Sequence, residues 1–373
     1  MKVPFNVPHF CGSESSYIAE AFAHKQFSGD GIFTQKASKE LCNLFHARRV
    51  LLTHSCTAAL EMCAILLNIG FGDEVIMPSF TFVSTANAFV LQGGCPIFVD
   101  IDPLTQNIDI DAIEKAISPK TRAIVVVHYA GISCDMERLM KLAASYDIPV
   151  VEDAAQAIYS NFKGQPLGSF GDLSAVSFHE TKNISCGEGG ALIINNSSYI
   201  ERAEVIRNKG TNRSAFYRGE VDKYTWVDIG SSYLPGEISA AFLFAQLQDG
   251  LEITRRRMQK WEHYYSFFSG LNSSVIGVPM HVPEFAQHNA HMFYLICPNL
   301  SRRSEFIDYM CMHGIDCIFH YVPLHSSSAG IRFGAVSGSM ENTLRAGDCL
   351  LRLPMGPYVD TNYVIEKASR FSI

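Results

Sequence analysis

The sequence predicts an α/β protein, in which a large lobe with a mainly parallel seven-stranded sheet precedes a small C-terminal α+β lobe. Three observations favour this fold class. Short aliphatic runs alternate with amphipathic runs between residues 48 and 195, as is typical of βαβ units. Longer helical runs replace this rhythm after residue 200. The length of 373 residues allows about two to three domains.

Seven short apolar runs predict the strands of the large lobe. Each contains aliphatic residues and is bounded by polar or glycine-containing segments. Such runs are typical of strands that are buried on both faces of a parallel sheet. The predicted strands are residues 50–53, 74–77, 97–100, 123–127, 149–152, 175–178 and 191–194.

Helical periodicity occupies the intervals between these strands. Leu60, Ala64 and Leu67 recur at helical spacing after the first strand. Thr57 can cap this helix, and Gly70 stands where a left-handed C-terminal cap belongs. Because parallel strands need a crossover connection, helices are expected between the later strands too. They are predicted at residues 83–91, 109–117 and 136–146.

The C-terminal part predicts a smaller lobe. Two long helical segments lead out of the large lobe, and the boundary is predicted near residue 235. We therefore expect domains at residues 1–235 and 236–373. The predicted helices are residues 199–209, 236–268, 303–313 and 342–350, and the predicted strands are residues 292–297 and 316–319.

Composition and charge exclude several classes of protein. A hydrophobic fraction of 47% and a charged fraction of 18% exclude disordered, collagenous and coiled-coil chains. Lys and Arg number 30 against 37 Asp and Glu, and no basic block is present, so no nucleic-acid partner is expected. No apolar run approaches the roughly 18 residues that cross a bilayer, and no leader is visible. We expect a cytoplasmic protein without a membrane partner.

The eleven cysteines predict neither a disulfide framework nor a metal site. Their number is odd, and they form no C-x-x-C pair and no cluster with histidine at zinc-ligand spacing. Reduced and mostly buried thiols are therefore expected, with no bound metal.

Polar segments follow five of the predicted strands. Open α/β sheets bind their ligands at the carboxyl ends of the strands. All five segments are therefore expected to line one crevice. They are residues 54–57, 79–82, 128–129, 153–156 and 177–182.

The side chains in these segments fit one kind of chemistry. Free N–H groups and hydroxyls at residues 55–57 suit a phosphate, although Thr57 taken alone fits a simple helix cap better. Asp153 ends an apolar strand and needs either a cationic ligand or a structural ion pair. Lys182, if desolvated, could act as an amine nucleophile, although most lysines are merely solvated. Together with Phe82 as a stacking ring, these are the parts of a pyridoxal phosphate site.

Longer motifs support this interpretation. They cover residues 29–31, 55–60, 72–82, 152–156, 177–183 and 320–325. Along the whole chain they resemble the DegT/DnrJ/EryC1 sugar-nucleotide aminotransferases, which are fold type I pyridoxal phosphate enzymes. The resemblance implies a large cofactor domain, a small C-terminal domain and a homodimer with shared active sites.

The resemblance also implies a role for each matching residue. Lys182 would bind the cofactor covalently and move the proton between the cofactor and the sugar carbon. Asp153 would keep the pyridinium nitrogen protonated, Gln156 would lie near the ring hydroxyl, and Phe82 would stack on the ring. The residues that would hold the phosphate are Cys56, Thr57 and Ser177.

Other positions would bind at the edges of the site. Many relatives have Gly-Tyr-Asn-Tyr-Arg, whose Asn reaches the partner subunit's phosphate. Residues 230–234 read Gly-Ser-Ser-Tyr-Leu, so Ser232 would take that place with a shorter reach. His320 and His325 would bound the nucleotide-sugar side, or else are core or surface histidines. The cationic candidates for the thymidine diphosphate are Arg213 and Lys223.

Three less usual runs suggest the substrate. Residues 179–182, 209–213 and 221–226 are similar to a branch of the family that makes dTDP-4-amino-4,6-dideoxygalactose for the enterobacterial common antigen. In the implied reaction, L-glutamate gives its amino group to the cofactor, which then aminates the C4 ketone of dTDP-4-dehydro-6-deoxyglucose.

Several alternatives remain open for the activity. They are the gluco epimer of the product, a 3-aminotransferase acting on a 3-keto sugar nucleotide, a sugar 3-dehydratase and a non-catalytic scaffold. The dehydratase has a histidine in place of the lysine, so Lys182 argues against it. A scaffold is expected to lack Asp153 or Lys182, and both are present.

Overall fold

The computed structural model describes residues 2–271 and 276–371. All seven strands predicted for the large lobe are found, with ends that differ by one or two residues. The strands are β1 (Arg49–Thr53), β2 (Glu74–Pro78), β3 (Cys95–Val99), β4 (Thr121–Val127), β5 (Val150–Asp153), β6 (Asn161–Phe162), β7 (Gln165–Pro166), β8 (Leu173–Ser177), β9 (Gly190–Ile194), β10 (Val278–Pro279), β11 (Ala286–Gln287), β12 (Phe293–Ile296), β13 (Ile318–Phe319), β14 (Ala335–Val336) and β15 (Leu350–Leu353).

The large sheet has eight strands in the order β1-β9-β8-β5-β4-β2-β3-β14. Pairing is parallel from β8 through β5, β4, β2 and β3 to β14. Only β9 is reversed, since it is antiparallel to both β1 and β8. The carboxyl ends of β1, β2, β4, β5 and β8 therefore lie at one edge, as the sequence predicts.

The eighth strand extends the predicted seven-stranded sheet. β14 comes from the C-terminal part of the chain and pairs through Ala335 and Val336 with Ile97 and Phe98 of β3. Two residues are too short to show a hydrophobic period, so the sequence contains no usable signal for this strand.

Helices cover both faces of the sheet, and those predicted between its strands are found as α3 to α6. The helices of the described residues are α1 (Glu14–Ala23), α2 (Ile32–Phe45), α3 (Cys56–Leu66), α4 (Val83–Val90), α5 (Ile110–Ala116), α6 (Met136–Ser145), α7 (Ile200–Arg207), α8 (Arg213–Tyr217), α9 (Glu237–Gln248), α10 (Gly250–Phe268), α11 (Leu300–Met312), α12 (Ser328–Phe333), α13 (Glu341–Cys349) and α14 (Thr361–Ala368).

Two predicted helical features differ from the structure. The single helix predicted at residues 236–268 is two helices that meet at Asp249. Gly250 follows the break, and a side chain there would overlap the ring of Tyr159, so close packing requires glycine at this position. After α3 the left-handed residue is Asn68, with φ 53°, and not Gly70.

The alternation of side chains divides the large lobe into two apolar layers. Val50 and Leu52 point into a core with α1, α2 and α9, whereas Leu51 belongs to the core with α3 and α7 on the other face. In α2, which was not predicted, Phe33 and Ala37 stand at helical spacing in the first of these cores, and this signal is visible in the sequence.

The small lobe has its own sheet, in the order β10-β12-β15-β13. Its apolar core includes Phe293 and Leu351, and it begins within α10, since Ile253 packs in the large-lobe core and Trp261 in the small-lobe core. The predicted boundary near residue 235 stays a prediction, and α9 beyond it packs on the large lobe.

Two general expectations can be compared with the described residues. All eleven cysteines are free, but only five of them are buried, so the expected burial of the thiols is only partly right. In the described ranges, no helix has the combination of length and apolar character that spanning a bilayer would require.

Candidate active site

A cavity of about 560 Å³ opens at the carboxyl edge of the large sheet. Its walls come from the segments that follow β1, β2, β5 and β8, and from β13 and β15 of the small sheet. The structure thus brings together most residues that the sequence singles out. The predicted site residues that line the cavity are Cys56, Thr57, Phe82, Asp153, Gln156, Ser177, Lys182 and His320.

The N-terminus of α3 forms one end of the cavity. Ser55 caps the helix, because its Oγ accepts a hydrogen bond from the Ala58 amide at 3.1 Å. Thr57 is therefore not the cap, and its Oγ1 donates to Ser84 Oγ at 2.8 Å. Within residues 2–271 and 276–371, the amides of Cys56 and Thr57 donate to no acceptor. Free amides at a helix start suit a phosphate.

Close packing of β9 brings a third polar group to the same end. Gly190 pairs with Ser177, and a side chain at Gly190 would overlap the backbone of Ser55 and Cys56. The absence of a Cβ therefore lets β9 and Ser177 approach the start of α3. The result is a cradle of amide and hydroxyl groups that fits the phosphate of pyridoxal phosphate.

Asp153 lies at the carboxyl end of β5 and is buried. Its Oδ2 accepts a hydrogen bond from Thr85 Oγ1 at 2.7 Å, and its Oδ1 accepts one from the Ala155 amide at 3.2 Å. Burial raises the pKa of Asp153, while these hydrogen bonds and the nearby Lys182 charge oppose the shift. A protonated ring nitrogen would give this carboxylate the cationic partner that it needs.

A buried ion pair supports the strand that carries Asp153. His128 Nε2 lies 2.9 Å from Glu152 Oε2, and both side chains are fully buried. The backbone amides of Phe170 and Gly171 also donate to Glu152, each at 2.7 Å. Burial alone would lower the pKa of His128, but hydrogen bonds with Cys134 and Glu152 raise the pKa of His128 to about 10.

Gln156 is held in one orientation by two hydrogen bonds. Its Oε1 accepts from the Ala130 amide at 2.7 Å, and its Nε2 donates to the Tyr321 hydroxyl at 3.3 Å. Tyr321 in turn packs against Phe82, with ring centroids 6.5 Å apart. Phe82 is 57% exposed toward the cavity and solvent, so its ring is open to a stacking partner.

Lys182 lies in the turn after β8, where its amide donates to the His179 carbonyl at 2.9 Å. Burial lowers the pKa of Lys182, whereas Cys56 and Asp153 raise it and Arg352 lowers it further. A lower pKa increases the share of neutral amine, which is the form that attacks a carbonyl carbon.

Four predicted site residues lie outside this cavity. His325 Nδ1 is 2.7 Å from Ser79 Oγ, at the end of β2, so this histidine holds two segments together instead of lining the cleft. Arg213 lines a separate cavity of about 820 Å³ and donates to the Tyr217 hydroxyl at 2.9 Å. Two further residues are exposed, namely Lys223 and Ser232.

Several cavity residues were not predicted from the sequence. Phe5 and Arg352 come from opposite ends of the chain, and His291 comes from the segment before β12. The sequence does contain a signal for Arg352 as a site residue, because it is a charged residue within the apolar strand run Leu-Leu-Arg-Leu. Phe5 and His291 lie in segments without a motif, so only tertiary packing reveals them.

Comparisons with known proteins agree with this site. The model of the DegT/DnrJ/EryC1/StrS aminotransferase family matches residues 11–368. The chain is 30% identical to the spore coat polysaccharide biosynthesis protein SpsC of Bacillus subtilis, covering 98% of this chain and 95% of SpsC. It is 34% identical to GDP-perosamine synthase of Escherichia coli O157:H7, covering 69% of each chain.

Solved structures extend the agreement to three dimensions. The aminotransferase TlmJ from Streptoalloteichus hindustanus superposes with a TM-score of 0.89 at 27% identity, covering 98% of this chain and 97% of TlmJ. Structures similar to this chain include forms with pyridoxal phosphate and with pyridoxamine phosphate. With its cavity built for this cofactor, the chain belongs to the DegT/DnrJ/EryC1/StrS aminotransferase family and is a pyridoxal phosphate-dependent sugar aminotransferase.

Proposed function

We propose that the enzyme transfers the amino group of L-glutamate to the C4 ketone of dTDP-4-dehydro-6-deoxy-D-glucose. The products would be 2-oxoglutarate and dTDP-4-amino-4,6-dideoxy-D-galactose. The observation that carries an aminotransferase mechanism is the presence of Lys182 and Asp153 in one cavity beside the free amides of α3. The runs at residues 179–182, 209–213 and 221–226 support the choice of sugar nucleotide.

Residues of the large lobe would hold the cofactor. Asp153 would keep the ring nitrogen protonated, Gln156 would lie at the ring hydroxyl, and Phe82 would cover one ring face. When bound, pyridoxal phosphate supplies an acceptor for the electrons that remain after a carbon loses its proton. The groups proposed for the phosphate are the amides and side chains of Cys56 and Thr57 and the hydroxyl of Ser177.

Lys182 would move the proton in both halves of the reaction. In the first half its Nζ takes the proton from the α-carbon of the amino donor, and in the second half it delivers a proton to C4 of the sugar. One lysine can serve both halves because the two carbons occupy the same place in turn. The lowered pKa of Lys182 favours the neutral amine that accepts the first proton.

The residues outside the cavity are proposed to act across subunits. In a homodimer with shared sites, Ser232 would reach the phosphate of the partner subunit, and Arg213 and Lys223 would meet the thymidine diphosphate. His320 lines the cavity and is proposed at the nucleotide-sugar side. His325, which is bonded to Ser79, would act there only indirectly. Cytoplasmic location and a role in the enterobacterial common antigen or the lipopolysaccharide O antigen stay predictions.

Product analysis tests the proposal. The purified enzyme is incubated with L-glutamate and dTDP-4-dehydro-6-deoxy-D-glucose, and the product is examined by NMR. An axial amine at C4 supports the galacto product, and an equatorial amine would instead identify the gluco epimer. No product from this substrate, together with an amine at C3 when a 3-keto sugar nucleotide is supplied instead, would replace the proposal by a 3-aminotransferase. A colourless protein without cofactor absorption would point to a scaffold.

A further inference from the structure

Two threonine hydroxyls lead from the cavity to the carboxylate of Asp153. Thr81 lines the cavity after β2, and Thr85 lies in the first turn of α4. Thr81 Oγ1 is 2.8 Å from Thr85 Oγ1, and Thr85 Oγ1 donates to Asp153 Oδ2 at 2.7 Å. Thr85 is fully buried, and Thr81 is nearly so. The three side chains therefore form one continuous chain of hydrogen bonds behind the cavity wall.

The direction of these hydrogen bonds follows from the chemistry of the groups. An ionised carboxylate only accepts hydrogen bonds, so the single hydroxyl hydrogen of Thr85 is committed to Asp153. Thr85 Oγ1 then has only lone pairs left, and Thr81 must donate to it. Hydrogen bonds that point the same way polarise one another, so the bond from Thr81 strengthens the bond between Thr85 and Asp153. The arrangement therefore favours the ionised form of Asp153.

Asp153 needs this support because it is buried. Among the described residues, Thr85 is the one side chain that hydrogen-bonds to the carboxylate, and the Ala155 amide donates to it at the longer distance of 3.2 Å. Burial raises the pKa of Asp153, and the hydrogen bond from Thr85 is the strongest influence that lowers it. The other titratable side chains that face Asp153 from the surrounding elements are Lys182, His128, Cys56, Cys63 and Tyr321.

We propose that Thr85 is a positioning residue, which together with Thr81 holds Asp153 ionised and in one orientation for the ring nitrogen of the cofactor. This inference rests on the proposed function, in which Asp153 is the partner of that nitrogen. A carboxylate that took up a proton would no longer keep the ring nitrogen protonated, and a carboxylate free to rotate would not stay aligned with it. Because Thr81 and Thr85 flank Phe82 in the chain, one short segment would fix both the stacking ring and the carboxylate.

The experiment measures cofactor affinity as a function of pH. The full-length wild type, Thr85→Val and Thr85→Ser are loaded with pyridoxamine phosphate, which forms no covalent bond with Lys182, and its dissociation constant is measured by absorption at each pH. A protonated Asp153 cannot accept from a protonated ring nitrogen, so affinity is expected to fall at low pH. Loss of a hydrogen bond to a charged group predicts that Thr85→Val moves this fall upward by about 1 to 2 pH units. Thr85→Ser keeps the hydroxyl and is expected to follow the wild type.

Kinetics of the holoenzyme provide a second measurement. The kcat of Thr85→Val is expected to fall by about 10- to 100-fold. Its KM for L-glutamate is expected to stay near the wild-type value, because Thr85 is fully buried. Thr81→Val removes only the first hydroxyl of the chain, so it is expected to move the pH profile of cofactor affinity in the same direction by a smaller amount. An unchanged kcat in Thr85→Val would contradict the inference.

Thr343→Val is the matched control. Thr343 is also fully buried, and its Oγ1 donates to Asp100 Oδ1 at 2.7 Å, but it lies in α13, outside the residues that line the cavity. This variant is expected to lose stability without any change in the pH profile. An unchanged profile in Thr85→Val overturns the inference, as do equal shifts in Thr85→Val and Thr85→Ser, which would exclude the hydroxyl as the cause. A shift in Thr343→Val would overturn it too, because lost stability would then explain the shift.

The same measurements distinguish this inference from the proposed function. If Asp153→Asn keeps the wild-type pH profile, the proposed role of Asp153 fails and the inference fails with it. If Asp153→Asn changes the profile and Thr85→Val does not, the inference alone fails. A wild type that takes no amino group from L-glutamate contradicts the proposed donor, and the affinity profile then decides the inference. If Thr85→Val does not fold, as judged by circular dichroism, Thr81→Val decides, because an unchanged profile there contradicts the chain of hydrogen bonds.

Discussion

The two walls of the cavity are built differently. On the large-lobe wall, Asp153 and Gln156 are each held by two hydrogen bonds, and their positions do not depend on a ligand. On the small-lobe wall, Arg352 packs against the Phe5 ring, and its Nε has no hydrogen-bond partner among the residues that the structure describes. A group that stays bound favours a wall fixed in advance, whereas substrates that come and go favour a wall whose polar groups are completed by each ligand.

Aromatic packing completes the contrast. The ring centroid of Tyr321 lies 5.6 Å from that of Phe80 and 6.1 Å from that of Tyr129, so the small-lobe wall is joined to the large lobe mainly through rings. His320 bonds to the Tyr129 hydroxyl at 3.1 Å. Substitutions on the large-lobe wall are therefore expected to affect chemistry and folding. Substitutions on the small-lobe wall are expected to affect substrate affinity.

The largest effect is expected at Lys182, where the two walls meet the reacting atoms. Lys182→Ala would remove both the proposed covalent attachment point and the amine proposed to move the proton, so turnover and the absorption band of a lysine-bound cofactor are both expected to vanish. Turnover is measured by product formation and the band by a visible spectrum. Lys141→Ala, an exposed lysine of α6, serves as the control. Near-normal turnover in Lys182→Ala would contradict its role.

A smaller loss of activity is expected at Asp153, the proposed partner of the ring nitrogen. Asp153→Asn preserves the shape of the side chain but not its charge, so the cofactor is expected to remain bound while kcat falls by about 100- to 10,000-fold. Cofactor content from the absorption spectrum and kcat from product formation are measured together. Asp308→Asn on the exposed face of α11 controls for the charge change. Unchanged kinetics would remove Asp153 from the mechanism.

The meeting of Lys182 and Asp153 in one cavity, which the sequence predicts, has a physical reason. Lys182 and Asp153 follow buried strands, and parallel strands bring their carboxyl ends together, so hydrophobic periodicity alone indicates that such residues meet. The choice of helix cap was wrong by two residues, because Ser55 and Thr57 are both suitable in type and only the extended backbone of Ser55 decides. Phe5 reaches the site through packing between distant segments, which periodicity does not encode.

The buried pair of His128 and Glu152 supports the large-lobe wall, and breaking this pair tests how much it stabilises the wall. Glu152→Gln would leave His128 without its carboxylate and is expected to lower the free energy of unfolding by about 3 to 5 kcal/mol. Chemical denaturation of the apoprotein measures this change. Glu180→Gln, an exposed neighbour of the site, is the matched control. A loss below about 1 kcal/mol would mean that the pair does not stabilise the wall.

The pair of His128 and Glu152 also predicts that the free energy of unfolding depends on pH. The pKa of His128 is raised in the folded state to about 10, above its ordinary value of about 6.5, so the folded protein binds the proton more tightly than the unfolded chain. The stabilisation is therefore complete below about pH 6.5 and is lost as the pH rises through about 10. The difference in unfolding free energy between wild type and Glu152→Gln is expected to shrink over that range. A difference that stays constant from pH 6 to pH 10 would show that His128 is neutral throughout.

The smallest effect, on cofactor affinity, is expected at Tyr321, where the small-lobe wall contacts the large-lobe wall. Tyr321→Phe removes only the hydroxyl that accepts the Gln156 Nε2 hydrogen bond, while the ring keeps its contact with Phe82. A single neutral hydrogen bond contributes about 0.5 to 1.5 kcal/mol, so cofactor affinity is expected to weaken by about 2- to 12-fold. Titration of the apoenzyme with pyridoxal phosphate measures it. Gln156 keeps its other hydrogen bond, with the Ala130 amide, in this variant. A loss of cofactor affinity above 100-fold would therefore mean that Tyr321 itself contacts the cofactor, and that the small-lobe wall also binds it.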